Sequence, residues 1–113
     1  MEQRPKSPVG SERRRNRFFV TQNTEYHLQG RDCVAVRDLW TGRWLAEHPA
    51  LGRKLFGAVL PTGNGLEPLT EPKNGCLLWF ENGDNDILTS RISAMGRPTK
   101  ASTRHYAEVR QAA

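Results

Sequence analysis

The chain has 113 residues and a mass of 12.8 kDa, with 36% hydrophobic and 26% charged side chains, a length that suits one domain and leaves no material for a second core. Leu, Ile, Val and Phe together number 23, close to the composition below which chains stay disordered, so a small core is expected that does not engage every residue. No run approaches the ~18 apolar residues of a membrane span, and the first 17 residues contain no apolar signal region; the expectation is a protein of the reducing cytoplasm with no membrane span.

The formal net charge of +5 divides unevenly along the chain. Residues 1–17 carry +4, residues 96–113 carry +3 and the stretch between them carries −2. The basic character therefore belongs to the two ends, and any polyanion should be bound there. Residues 1–17 also hold Pro5, Pro8, Gly10, Ser7 and Ser11 but, beyond Met1, only Val9 as an aliphatic. Such a segment cannot bury enough apolar surface to offset the entropy of ordering it, so a disordered tail is expected. The domain proper should run over 18–95, followed by a second basic tail over 96–113, helical from about 102.

In chain order, 18–21 and 25–29 are β-prone runs separated by the turn formers Gln22 and Asn23. Gly30, Arg31 and Asp32 make the next turn. Residues 33–39 read as a strand with Val34 and Val36 on one face. Gly42 lies in the turn after it, where a positive φ is needed, and 44–46 should start the return strand. Pro49 at a first helical position, with Leu51 and Leu55 on one face, predicts a short helix over 49–56. Residues 61–75, with three Pro and three Gly, read as one long loop. The second hairpin runs from 76–81 through Asn82 and Gly83 into 86–95. Cys76, Leu78 and Phe80 face one way and Leu77 and Trp79 the other, as in a central or sandwiched strand. Residues 101–113 have helix-friendly composition with Ser102 or Thr103 as cap; a helix this short is marginal unless it docks.

No nucleophile, Walker or metal motif accompanies these elements. Cys33 and Cys76 lack the spacing of a zinc or redox pair and read as buried apolar thiols, and His27, His48 and His105 are too scattered for a local metal site. The alternation of oxygen ligands at Asn82, Asp84 and Asp86 fails the calcium-loop pattern, whose later positions hold Ile87 and Ser93. The expected protein is therefore non-catalytic, without cofactor or metal.

The spacing of Arg13 and Arg17 resembles the R-x-x-x-R element of PilZ domains, small β-barrels that bind cyclic di-GMP. That resemblance implies cyclic di-GMP as a ligand; the family's second motif, Asp/Asn-x-Ser-x-x-Gly, has its nearest counterpart at 91–96, where Arg91 replaces the acid or amide. Gly96, Arg97 and Pro98 resemble the core of an AT-hook arm, without its flanking bases.

Together these readings predict one mainly-β domain: a small barrel or twisted antiparallel sheet of five or six short strands, with one short helix and a marginal C-terminal helix. The expected function is binding of DNA, RNA or another polyanion, with Arg13, Arg14, Arg15, Arg17, Arg97 and Lys100 on phosphates. The alternative is a protein–protein adaptor that presents Trp40, Trp44 and the 61–75 loop, because Trp is enriched at interface hot spots.

Overall fold

The computed structural model describes residues 16–112. The expected disorder of the N-terminal tail falls on residues 1–15 and lies outside them. Among the described residues, eight strands and one helix follow in order: β1 Asn16–Val20, β2 Thr24–Gln29, β3 Asp32–Asp38, β4 Leu55–Thr62, β5 Gly65–Leu69, β6 Leu77–Phe80, β7 Ile87–Arg91, β8 Ala94–Gly96 and α1 Lys100–Ala112. They form two antiparallel four-stranded sheets, ordered β3-β2-β1-β8 and β5-β4-β6-β7. The mainly-β expectation holds; the strand number exceeds the five or six anticipated, and the two sheets do not close into a barrel.

The inner faces follow from strand alternation, reset by bulges in the β2–β3 pairing and between Leu55 and Gly57 of β4. Phe19, Tyr26, Leu28 and Val36 of the first sheet meet Leu55, Ala58, Leu78 and Phe80 of the second in one buried cluster. Ile92 lies where the chain changes sheets: its amide donates to the Cys76 carbonyl at 2.7 Å, and the next amide, Ser93, donates to Val20 in the first sheet at 2.7 Å. The sequence reads 86–95 as a single strand, but this crossing divides it into β7 and β8.

The expected helix over 49–56 is absent. Leu51 donates to His48 and Arg53 to Ala50, both at 3.0 Å, making two successive turns. Gly52 then takes φ +79, which a right-handed helix cannot continue through, and β4 starts three residues later. The expected 61–75 loop is in part a strand. Thr62 turns through Gly63 and Asn64 into β5, which pairs along β4 from Thr62↔Gly65 to Ala58↔Leu69. Pro68 is tolerated because β5 is an edge strand and needs no second ladder. The return strand at 44–46 shrinks to a single bridge, Arg37↔Trp44.

The remaining expectations shift by a few residues. β1 takes in Asn16 and Arg17, ahead of the run read from 18. The turn after β6 is longer than two residues, with Asn85 donating to the Asn82 carbonyl at 3.0 Å, and Gly83 has φ +60 within it. The C-terminal helix starts at Lys100, before the expected caps. Thr99 caps it, its Oγ1 accepting from the Ser102 amide at 3.1 Å.

Candidate functional site

Two clusters of chemistry-bearing side chains meet on the first sheet. The first lies beside β1 and β8. These strands pair antiparallel, with Phe18 opposite Gly96 and Phe19 opposite Met95. The residues flanking that register, Arg17 and Arg97, line one pocket of about 330 Å³ with Phe18, Phe19, Pro72 and Met95. Two cations separated by 80 positions in sequence thus share an apolar recess. Arg17 also lies over the Phe19 ring, 5.4 Å from its centroid, a cation–π geometry. Met95 is exposed, and Gly96 presents no side chain.

Arg17 is not wholly available to a ligand. Its Nη1 donates to Glu71 Oε1 at 3.0 Å, and Arg31 Nη2 donates to the other oxygen of Glu71 at 3.3 Å. This triad clamps the segment before β6 against β1 and the β2–β3 turn. Arg17 Nε is buried without a hydrogen-bond partner, an arrangement that costs free energy while it lasts. Arg97 is exposed, and Lys100 is exposed in the first turn of α1. Arg13, Arg14 and Arg15 lie outside the described residues, but the chain that carries them joins β1 at Asn16, next to Arg17. Of the six cations singled out in sequence, the structure brings Arg17 and Arg97 together and sets Lys100 three residues beyond Arg97.

The second cluster was not legible as a site. On the outer face of the same sheet, His27 is 1% exposed and both its ring nitrogens are engaged. Nε2 lies 2.7 Å from Glu25 Oε1 and Nδ1 lies 2.6 Å from the Tyr106 hydroxyl. A carboxylate only accepts, so Nε2 carries the proton and Nδ1 accepts from Tyr106. Rings pack around this chain of bonds: Phe18 stacks on His27 at 5.7 Å, Trp44 lies 4.8 Å away, and His105 stacks on Trp44 at 5.0 Å. Arg37 covers Trp44 at 5.5 Å. Burial pushes the His27 pKa down, against the hydrogen bond and charge of Glu25, and raises that of Tyr106. The strand alternation that puts Glu25 and His27 on one face was visible in sequence; the arrival of Tyr106 from 79 residues away was not.

The tryptophans expected to form one patch are divided. Trp40 is 80% exposed, its Nε1 donating to Asn23 Oδ1 at 2.7 Å, whereas Trp44 is packed beneath α1. The outer face of the second sheet carries an aromatic pair that sequence reading passed over, Phe56 and Trp79 at 4.6 Å. Both cysteines are buried and free, and burial pushes the Cys33 thiol up to about 12, which keeps it protonated and unreactive near neutrality. Among the described residues no helix is long and apolar enough to cross a membrane. In comparisons with known proteins, the chain matches no family model, no curated protein and no solved structure.

Proposed function

We propose that the protein is a non-catalytic binding module that engages nucleic acid, or another polyanion, through its two basic ends. The observation that supports this reading is the shared pocket: Arg17 and Arg97 line it from β1 and from the end of β8, where both basic segments meet the sheet. Two cations that are distant in sequence share one recess on a domain whose middle carries −2, which supports attraction of an anion there.

The test is a salt series of fluorescence-anisotropy titrations with labelled single- and double-stranded oligonucleotides. Removal of residues 1–15 leaves β1 intact and takes away five bases and two acids. Affinity should fall at least about tenfold near physiological salt, and the log–log salt slope should shrink by several units. Arg97→Ala with Lys100→Ala should weaken binding further. No binding by the full chain at low salt, where attraction is strongest, rejects the reading. Cyclic di-GMP, suggested by the R-x-x-x-R resemblance, is titrated in the same assay.

A second reading is a protein–protein adaptor, which the exposure of Trp40 favours: a large ring held by Asn23 at the surface is pre-organised for a partner. It predicts a contact that changes little with salt and is lost in Trp40→Ala.

A further inference from the structure

We infer that the pocket between β1 and β8 receives one unstacked nucleotide of a single-stranded nucleic acid, and not merely the phosphates of a duplex. The inference rests on the polyanion reading above and narrows it to a class of ligand. A site for phosphate alone needs cations on an open polar surface. This pocket instead has apolar walls from Phe18, Met95 and Pro72 and cations at Arg17 and Arg97, in a volume of about 330 Å³, within the roughly 300–1,000 Å³ of clefts that enclose small ligands. Apolar walls beside guanidinium groups match the two halves of a nucleotide, a flat base and an anionic phosphate, as single-strand binders combine stacking side chains with a basic track.

Details of the wall agree. Met95 is 45% exposed, and its thioether can lie against a ring face. At Gly96 an added Cβ would stand 3.0 Å from the tip of the Phe18 ring, so the ring lies close across β8 where glycine leaves room for it. A duplex keeps its bases in the stack and could not fill the recess without extruding one, whereas a single strand offers its bases freely. Glu71 marks the limit on one side. It occupies Arg17 Nη1 and Arg31 and repels a second anion there, so the phosphate belongs on Arg97 and the base beside Arg17, whose guanidinium plane is a stacking surface.

The experiment compares a 12-nucleotide oligothymidylate, an abasic oligomer of equal length and charge, and a 12-base-pair duplex, each against the full chain at fixed salt. The thymidylate strand should bind at least about tenfold more tightly than the abasic one, the gain expected from base contacts. Met95→Ala should erase most of that difference while leaving abasic binding unchanged, and Arg97→Ala should weaken both strands alike. Circular dichroism and melting temperature confirm that each variant is folded. Equal affinity for the thymidylate and abasic strands, or a duplex bound as tightly as the single strand, overturns the nucleotide pocket while the polyanion reading stands. If none of the three binds at low salt, both readings fall.

Discussion

Replacing Tyr106 by Phe removes one oxygen and keeps every ring contact, so it isolates the bond that ties α1 to the first sheet. In the folded protein that hydroxyl donates to His27 Nδ1 at 2.6 Å, and His27 and Tyr106 are each 1% exposed. Without it Nδ1 is a buried acceptor facing a benzene edge, and an unsatisfied buried polar atom costs about 1–3 kcal/mol. The ring's edge-on contacts with His27 at 5.4 Å and Trp44 at 6.2 Å remain. For a domain of this size each kcal/mol lowers Tm by roughly 4–8 °C. Urea and thermal melts at pH 7, followed by Trp fluorescence and far-ultraviolet circular dichroism, measure the loss. Tyr106→Ala, which also deletes the ring, should cost about 3–5 kcal/mol. A Tyr106→Phe melt indistinguishable from wild type would refute the claim that this hydroxyl bridges helix and sheet. Acid should act on the same bond. Burial holds the His27 pKa below its ordinary value, so the unfolded chain, titrating near ~6.5, takes up the proton more readily than the folded one. Stability is then full above ~6.5 and falls as pH drops through it toward the folded value. Burial lowers the His48 pKa as well and adds in the same direction. The groups facing the His27 ring are Glu25, Arg37, Phe18, Trp44 and Tyr106, and of the charged ones only Glu25 favours the imidazolium. His27→Gln should therefore show a smaller loss of Tm between pH 7 and pH 5 than wild type, and an equal loss would remove His27 as its source.

Two backbone positions give further tests. Gly83 holds φ +60 and an added side chain there would meet nothing within 4 Å, so Gly83→Val should cost at least about 1 kcal/mol through strain alone, and Gly83→Asn less, since Asn tolerates the left-handed region; equal melts for valine and wild type would show that the turn does not need this conformation. At Gly57 the reason is close packing: a Cβ would stand 2.6 Å from the Leu69 carbonyl oxygen, so Gly57→Ala should destabilise by about 1–3 kcal/mol and should speed hydrogen exchange in β5 ahead of β6, a pattern whose absence counts against the β4–β5 contact.

What could be read in the sequence was local. The runs that became β1, β2, β3 and β6 are rich in β-prone and apolar residues, and the turns that follow β1, β2 and β6 carry Gln22, Asn23, Gly30 and Gly83. Val34 and Val36 do not share a face as expected: a bulge in β3 leaves Val36 in the main core and packs Val34 against the Ala35 and Tyr106 cluster. The misreadings came where local signals conflicted. Pro49, Leu51 and Leu55 have helical spacing, yet Gly52 lies among them and the left-handed residue prevails. Pro61 and Pro68 mark a loop in any local reading, and only an edge position with one unpaired side makes Pro68 a strand residue. The division of 86–95 at Ile92 and Ser93 depends on which sheet supplies each carbonyl, a tertiary matter. The site behaved likewise. Each cation was visible singly, but the meeting of Arg17 with Arg97 follows from β1 pairing with β8, and nothing in either segment specifies that partner.

That pairing explains why the basic pocket and the helix latch occupy one sheet. Gly96, Phe18, His27 and Ala35 form a row across the outer face of β8, β1, β2 and β3, fixed by the pairs Phe18↔Gly96, Phe18↔His27 and His27↔Ala35. Tyr106 and Ala35 belong to one buried cluster, with Trp44 packed on it. Phe18 is therefore both a wall of the pocket and a stacking partner of His27. β1 needs β8 for its second ladder, and α1 needs the row beneath it for its only buried anchor among its described side chains, Tyr106. The two ends of the chain thus order each other: β8 completes the edge on which Arg17 lies, and β1 supplies the ring that steadies the histidine under the helix. Such long-range closure is slow to form because loop entropy opposes it before any contact offsets that cost. The charge asymmetry of the sequence bears on this geometry at two described cations, since the pairing of β1 with β8 brings Arg17 and Arg97 to one recess, and the Glu71 carboxylate pairs with Arg17 and Arg31 beside it.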